Sequence, residues 1–468
     1  MAEKKNCITI PYGAWYDETE VSLPVPTHWN VHLLEPKDAL KIEDKRIQEA
    51  LREPIGTSTL EEMAKGKKSV TIAVDDITRP TPTDRILPIV IEELLRCGIS
   101  ASNITIIIAS GAHRRMSPAE LRRKLGYEIV DNFEIVTHDF LGKDVTYVGW
   151  IAGGPVYLNR HFLNADLRLC LGCVLGHAET GFGGGAKMVV PGLAGRSTIS
   201  HFHGALPPRP KGQIEGATGV QDRREWAEQV AEHIGLDAVL CTVINSRREL
   251  AGIYFGDIRK AHRQAARQAL DIGETILPRE LMHKGHIIIA NSYPLDTDPI
   301  QLGKAIENAR KVPGKYILAI DAASDGIFYH GMGMGSGIDL KRLTKNLYHF
   351  CQQPTSVRTW LGSLKSALRN PLLTARLCYF TINHQSYDEF LEEKRNPESI
   401  RPVSNRDATF MLYSKNFPDW GFRNRYPKGR LYRDWEELIQ TLSESEQFGE
   451  SPEVLVLPCS PLQFLKVR

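Results

Sequence analysis

Continuous apolar runs alternate with amphipathic segments along most of the chain. Short apolar runs bounded by turn residues are typical of buried parallel strands, and apolar positions spaced three and four apart are typical of helices. The predicted strands are 67–76, 103–110, 166–177, 238–245, 285–292 and 315–326. The predicted helices are 85–98, 220–235, 257–273 and 299–311, with one more that begins at Ser117 in a capping box with Glu120.

The order of these elements predicts an α/β fold with two domains, each with mostly parallel sheets flanked by helices. The pattern restarts near residue 277, so we expect an N-terminal domain at 1–276 and a C-terminal domain at 277–468. The region 395–433 has weak periodicity and is rich in Arg, Asn, Pro and Tyr, which predicts loop-rich surface. The glycine-rich run 330–337 departs from the dinucleotide pattern and predicts a tight turn.

Composition narrows the possible functions. With 468 residues, the chain can bury the cores of two or three domains. Its 58 Lys and Arg against 56 Asp and Glu give a net charge of +2, which disfavours a general nucleic-acid partner. The N-terminal residues lack a signal-like apolar segment, and no apolar stretch approaches the ~18 residues of a membrane span. We therefore expect a cytoplasmic protein with no membrane partner.

The cysteines point to no metal site. There are 8 in the chain, too few and too scattered for a disulfide framework. Cys170 and Cys173 form a C-x-x-C pair, but they lie in an apolar predicted strand and no second pair follows. A structural role is favoured over a metal or redox pair.

Two loops that follow predicted strands carry groups suited to catalysis, because ligands of parallel α/β sheets bind beyond the carboxyl ends of the strands. In the first, Arg79 stands among prolines and threonines and could bind a carboxylate or phosphate. Alternatively, Asp76 and Thr78 cap the next helix and Arg79 is solvated. In the second, His113 could act as a general acid or base, or have no role in the chemistry.

The segment 176–204 is rich in glycine, which allows close approach of the backbone to a ligand. It fits neither a Walker A loop nor a dinucleotide fingerprint. Lys187 stands among small and apolar residues and, if desolvated, could hold a cofactor covalently. His201 and His203 would share one face of an extended segment and could bind a transition metal. The alternative is a tight turn with a surface lysine.

A helix start in the second half of the chain offers another cation. Gln301 and Lys304 are three residues apart and share a helical face. Lys304 could bind an anionic substrate with help from the positive end of the helix dipole. The alternative is an ordinary solvated lysine.

Taken in order, the motifs D-x-T-R-P-x-P, G-x-H-R, H-x(3)-G-F-x-G-G-x-K-x(3)-P-G-x-x-G, H-G and Q-x-x-K resemble the nickel-pincer-nucleotide lactate racemase family. The resemblance covers about residues 70 to 305. It implies two α/β domains with the active site in the cleft between them. It also implies nickel held by a pyridinium-3,5-bisthiocarboxylic acid mononucleotide that is bound covalently to a lysine, and enzymes that synthesise this cofactor as partners.

The family's roles transfer to matching positions of this sequence. The resemblance implies that Lys187 is the cofactor tether and His203 the nickel ligand, with His201 an additional histidine. It implies the following further roles: His113 and His177 as the catalytic pair, Arg79, Gln301 and Lys304 in substrate binding, and Asp76, Thr78, Gly183, Gly184 and Gly185 in cofactor binding.

These residue types suit racemisation or epimerisation at C2 of a 2-hydroxy acid. Removal of the C2 proton would build negative charge beside a carboxylate, whereas hydride transfer to the cofactor avoids this. One histidine on each side provides a base for either enantiomer. Ile300 and Phe202 occupy positions where lactate-type members of the family tend to have an aromatic residue and Asn. The identity of the 2-hydroxy acid therefore stays open. A dehydratase, a dehydrogenase, and a nucleotide-binding carrier or sensor are the alternatives.

Overall fold

The computed structural model describes residues 6–16, 19–282, 285–325, 408–444 and 451–468. The strands are β1 Asn6–Tyr12, β2 Thr19–Val25, β3 Asn30–Leu33, β4 Val70–Val74, β5 Ile104–Ile108, β6 Glu134–Thr137, β7 Val145–Ile151, β8 Gly154–Asn159, β9 Leu167–Cys173, β10 Gly176–His177, β11 Gly181–Phe182, β12 Ala238–Ile244, β13 Leu250–Gly256, β14 Glu274–Leu277, β15 Gly285–Asn291, β16 Tyr316–Ile320, β17 Thr409–Tyr413, β18 Arg430–Tyr432, β19 Glu453–Leu457 and β20 Phe464–Val467.

The α-helices are α1 Lys45–Arg52, α2 Leu60–Ala64, α3 Thr83–Arg96, α4 Pro118–Leu125, α5 Tyr127–Asn132, α6 Arg160–Leu163, α7 Arg196–Gly204, α8 Arg223–His233, α9 Lys260–Ile272, α10 Leu302–Ala309, α11 Asp419–Arg425 and α12 Trp435–Ser443. Short 3₁₀ turns cover Ala101–Asn103, Gly185–Met188, Arg279–Leu281, Pro299–Gln301 and Ser460–Leu462. The predicted capping box is present, since the Ser117 side chain accepts from the Glu120 N–H and the Glu120 carboxylate accepts from the Ser117 N–H. None of the described helices is long and apolar enough to cross a membrane.

Two six-stranded sheets form the framework. The first has the order β13-β12-β9-β4-β5-β6 and is parallel except at the β12–β13 pair. The second has the order β18-β17-β16-β15-β19-β3 and is parallel throughout. The predicted α/β class with mostly parallel sheets is therefore confirmed.

Both sheets are buried on both faces, which explains why their strands are continuous apolar runs. In β4, Ile72 and Val74 pack into one core while Ala73 packs into the core on the opposite face. In β15, Ile287 and Ile288 likewise belong to different cores. Side chains alternate between the two faces of a strand, so helices must cover each side.

Parts of the sequence prediction need correction. The loop-rich surface expected at 395–433 is wrong for its described part, because 408–433 contains β17, α11 and β18, and β17 is an interior strand of the second sheet. The run 330–337 lies outside the described residues. Strand β3 adds residues from the start of the chain to the second sheet. The domain boundary near 277 stays a prediction.

Candidate active site

A buried lysine shapes the loop that follows β4. Lys124 Nζ lies 2.7 Å from Asp75 Oδ1 and donates to the carbonyls of Arg79 at 2.9 Å and Thr81 at 3.2 Å. The other Asp75 oxygen accepts the Thr81 hydroxyl at 2.6 Å and the Cys173 N–H at 3.0 Å. Burial lowers the pKa of Lys124, and the Asp75 charge opposes that shift. This network fixes the backbone on which Arg79 stands.

The same loop holds His113 through a carboxylate. Asp76 Oδ2 lies 2.6 Å from His113 Nδ1, while Oδ1 accepts the Thr78 N–H at 3.0 Å and its hydroxyl at 2.6 Å. Helix α3 begins after Pro82 without a side-chain cap, so Asp76 and Thr78 do not cap it. Burial would raise the pKa of Asp76, but His113, Arg79 and Thr78 together hold it well below its usual range.

A small open pocket lies at this point and is lined by both parts of the chain. Asp76, Thr78 and His113 line it from the first sheet, and Asp298 lines it from the segment after β15. Arg79 Nη1 donates to the Thr78 hydroxyl at 2.9 Å, which ties the guanidinium to the same loop.

His177 and Lys187 lie close together in the glycine-rich segment 176–204. Lys187 Nζ lies 2.8 Å from His177 Nε2, and His177 Nδ1 accepts the Glu179 N–H at 3.1 Å. A neutral imidazole that accepts at Nδ1 carries its proton on Nε2. An uncharged Lys187 amine can then accept that proton in a hydrogen bond.

The surroundings favour uncharged forms of both groups. Burial lowers the pKa of Lys187 well below its usual value. The charges of Arg79 and Arg224 lower this pKa further, whereas the charge of Glu179 raises it. Burial, Lys187 and Lys304 likewise lower the pKa of His177. An amine of lowered pKa is a nucleophile near neutral pH.

Lys304 approaches the same place from α10. Burial lowers its pKa well below the usual value, and the charges of Arg79 and Lys187 lower it further. Gln301 precedes it in the 3₁₀ turn and is 4% exposed. Within the described ranges the Gln301 amide makes no side-chain hydrogen bond. The structure thus brings Arg79, Lys187 and Lys304 together, although they are far apart in sequence.

The glycines before Lys187 bring the backbone close to other protein atoms. Gly184 has φ +67°, and a Cβ there would lie 2.9 Å from the Cys173 carbonyl oxygen. A Cβ on Gly185 would lie 2.9 Å from the His262 ring, whereas one on Gly183 would make only ordinary contacts. Protein atoms therefore occupy the Cβ side of two of the three glycines that we expect to bind the cofactor.

His203 presents one ring nitrogen for a ligand. Its Nδ1 lies 3.0 Å from the Ile199 carbonyl, one turn earlier in α7, and its Nε2 lies 3.4 Å from Glu179 Oε2. The carbonyl fixes the proton on Nδ1, which is the arrangement that orients metal-binding histidines. Arg223 Nη1 holds the other Glu179 oxygen at 2.7 Å. Burial raises the pKa of Glu179, but His203 and Arg223 outweigh this and lower it to about 2.

His201 does not share this face. The segment is helical rather than extended, so residues two apart point in nearly opposite directions. The His201 ring packs 5.0 Å from the Trp226 ring, and its Nε2 is buried without a hydrogen bond. In the described part of the chain, no group of three or more His, Cys, Asp or Glu side chains could hold a metal ion.

Several residues around the site were not found from the sequence. Glu179 lies only two residues after His177, so its position within the motif was a usable signal. Lys124 and Arg224 are charged residues in helices, which normally indicates a solvated face, yet both have 0% exposed side chains. Only the tertiary structure shows that they hold the two loops.

Comparison with known proteins gives the family. Residues 16–213 match the lactate racemase N-terminal domain. The lactate racemase of Thermoanaerobacterium thermosaccharolyticum is 29% identical over 331 residues, which are 68% of this chain and 74% of that protein. The lactate racemase of Lactiplantibacillus plantarum is 30% identical over 302 residues, which are 62% of this chain and 69% of that protein.

Solved structures share the fold. The lactate racemase apoprotein from T. thermosaccharolyticum superposes with a TM-score of 0.65 at 20% identity, covering 98% of this chain and 100% of that one. A Thermotoga maritima protein superposes with a TM-score of 0.56 at 18% identity, covering 91% and 100%. The resemblance drawn from the motifs is confirmed: the chain belongs to the lactate racemase family and is an enzyme of the racemase class.

Proposed function

We propose that the chain racemises or epimerises C2 of a 2-hydroxy acid in the cytoplasm, using a nickel-pincer nucleotide attached to Lys187. The two relatives are named lactate racemases, which supports a lactate-like acid as the first substrate to test. The observation that carries the proposal is the Lys187 amine, which lies 2.8 Å from His177 among cations that favour its uncharged form.

The residues present fit this cofactor. An uncharged amine is the form that can attack a thiocarboxyl carbon, where loss of water would leave a thioamide, and Lys187 is the lysine so placed. The His203 Nδ1–H is occupied by a backbone carbonyl, so Nε2 is the nitrogen that would bind nickel, in place of its contact with Glu179. When bound, the cofactor would supply one carbon that accepts hydride from C2 and returns it. The remaining tasks fall to the side chains around it.

The cations suit an anionic substrate. Arg79 is held on a loop that Lys124 and Asp75 fix, so its guanidinium loses little freedom on binding a carboxylate. Lys304 comes from the second part of the chain, and although burial and Arg79 lower its pKa, a substrate carboxylate beside it would favour its protonated form. The buried amide of Gln301, for which the described residues offer no hydrogen-bond partner, could bind the same substrate.

Two histidines can exchange the hydroxyl proton. Asp76 fixes His113 through Nδ1, so Nε2 is the ring nitrogen that would accept a proton, and the carboxylate would stabilise the resulting cation. The pKa of His177 lies below its usual value, so the ring is neutral. Once Lys187 is bonded to the cofactor and no longer accepts the Nε2 proton, the ring can carry its proton on Nδ1 and accept the hydroxyl proton at Nε2. We propose that each serves one enantiomer. While hydride is away from C2, Arg79 and Lys304 would retain the keto acid.

Co-expression with the cofactor-synthesising enzymes tests the assignment. Intact mass should show an adduct on the wild type and none on Lys187→Ala, and metal analysis should show roughly one nickel per adduct. Lys311→Ala, which changes a lysine just after α10, is the matched control and should load normally. An unmodified wild-type Lys187 without nickel under these conditions would refute the proposal.

Isotopic labelling separates this reaction from its alternatives. Deuterium at C2 should slow turnover and stay in the product, because hydride returns to the carbon that lost it. Rapid exchange with solvent would indicate proton abstraction instead. Loss of water or net formation of a keto acid would indicate a dehydratase or a dehydrogenase, and a loaded protein inert toward a panel of hydroxy acids would indicate a carrier or sensor.

A further inference from the structure

A buried arginine binds the backbone of the glycine-rich loop that precedes Lys187. Arg224 lies on α8 with a fully buried side chain. Its Nη1 donates to the Gly184 carbonyl at 3.1 Å, and its Nη2 donates to the carbonyls of Gly183 at 3.3 Å and Phe182. Three successive carbonyls are thus fixed by one planar group, directly before the turn that carries Lys187.

A second helix holds the same loop. His262 on α9 lies with Nε2 2.9 Å from the Gly183 carbonyl. Its Nδ1 lies 3.3 Å from Arg263 Nη1, so the neutral ring accepts at Nδ1 and donates at Nε2. Burial, together with the charges of Arg224 and Arg263, lowers the pKa of His262 well below its usual value.

The positive charge of Arg224 is only partly compensated. The carboxylate paired with it among the described residues is Glu228, whose Oε1 lies 3.9 Å from Arg224 Nε. Glu228 is bound more closely by Arg263, through both of its oxygens, and by Arg259 at 2.9 Å. Arg224 Nε has no hydrogen-bond partner. Because a buried charge without a close counter-ion is costly, a purely structural contact would be better served by a neutral donor.

We propose that Arg224 is a positioning residue for cofactor attachment: it fixes the loop that aims Lys187 at His177 and places a positive charge beside the Lys187 amine. The inference rests on the proposed function, because it assigns Arg224 to the loading of the same lysine. The groups that face this amine are Glu179, Arg79, Arg223, Arg224, His177 and Lys304. Only Glu179 among them is acidic.

The test measures the reactivity of Lys187 in protein made without the cofactor-synthesising enzymes. Each protein is acetylated briefly with acetic anhydride over a pH series, and the extent of modification of each lysine is read by peptide mass spectrometry. The midpoint is the pH at which a lysine reaches half of its maximal modification. We expect the Lys187 midpoint to lie below that of exposed Lys67. Arg224→Met should raise it by about one pH unit, because one nearby charge and one set of loop contacts are lost.

Arg168→Met is the matched control. Arg168 also donates to a backbone carbonyl, at 3.4 Å, but it lies in the first half of β9, away from the carboxyl end where the site is. Its substitution should leave the Lys187 midpoint unchanged. A folded Arg224→Met protein with the wild-type midpoint would overturn the proposal.

Arg224→Lys provides a second readout if Arg224→Met does not fold. It keeps the charge but cannot donate to three carbonyls at once. On co-expression with the cofactor-synthesising enzymes, its loaded fraction should fall about tenfold relative to wild type and Arg168→Met. Loading equal to wild type would overturn the proposal. Failure of the wild type itself to load would count against the proposed function and would leave the acetylation result to decide the role of Arg224.

Discussion

Asp76→Asn removes one charge and preserves the size of the side chain, so it isolates what the carboxylate does for His113. Asp76 is 3% exposed, and its Oδ2 lies 2.6 Å from His113 Nδ1. Its Oδ1 already accepts two hydrogen bonds from Thr78. An asparagine would keep its oxygen on Thr78 and turn its NH₂ toward the imidazole. His113 Nδ1 would then have to accept, and the ring proton would move to Nε2.

The size of the effect follows from this contact. A hydrogen bond to a charged group contributes about 1.5–3 kcal/mol, which corresponds to about 10- to 100-fold in rate. The reversed tautomer adds to this loss, because the nitrogen that should accept the substrate proton already carries one. The equivalent change in a serine protease triad lowers kcat about 10⁴-fold. We expect kcat to fall by at least about 100-fold, with a smaller change in KM.

The assay is chiral chromatography of lactate and other 2-hydroxy acids with cofactor-loaded protein, after matching loading by intact mass. Asp166→Asn is the control, since Asp166 accepts the N–H groups of Lys68 and Ser69 near the opposite end of β4. Its kcat should match that of the wild type. An Asp76→Asn enzyme with equal loading and a kcat within about threefold of wild type would refute the role of the carboxylate. A change in kcat of about threefold is smaller than the change expected from losing even a weak hydrogen bond to a charged group.

Other substitutions test the substrate cation, the glycine loop and the acid-sensitive core. Lys304→Met should raise KM by about tenfold or more, because a charge-assisted contact to the carboxylate is lost, while Lys311→Met leaves KM unchanged in the same steady-state assay. Gly184→Ala should reduce cofactor loading and destabilise the fold in urea unfolding by more than Gly219→Ala, since both have positive φ but only the Gly184 Cβ would meet a carbonyl, at 2.9 Å. Glu120→Gln should destabilise by up to about 3 kcal/mol at pH 7, because its arginine partner and other hydrogen bonds lower the folded-state pKa to about 2 from 4.5 despite burial. That difference is present above pH 4.5 and should shrink as the pH falls toward 2, whereas a constant difference would exclude linkage to this carboxyl group.

The sequence was informative where one local rule decided the structure. Strands β4, β5 and β15 are apolar on both faces, so their burial is visible as continuous runs. Strand β17 was missed because it follows a long aperiodic stretch, and the composition of the surrounding window outweighed its five residues. Its place inside the second sheet depends on pairing with β16 and β18, which no local pattern records.

The site was only partly predictable for a similar reason. The motifs identified the groups that could touch a ligand, but His201 and His203 changed their relation once the segment proved helical. The role of Arg224 depends on three carbonyls of a distant loop. Charged residues in amphipathic helices are usually solvated, so their burial becomes visible only when the neighbouring loops are in place.

One set of cations can serve two successive purposes at this site. Before attachment, the charge of Arg79 helps to keep the Lys187 amine uncharged. The same charge also lowers the pKa of Lys304. Once that amine forms a neutral bond to the cofactor, it can no longer take up a proton and compete with Arg79 and Lys304 for positive charge. Arg79 and Lys304 then remain as the two basic groups that can bind the carboxylate of an anionic acid. The electrostatics that prepare the lysine for attachment therefore also prepare the loaded enzyme for its substrate.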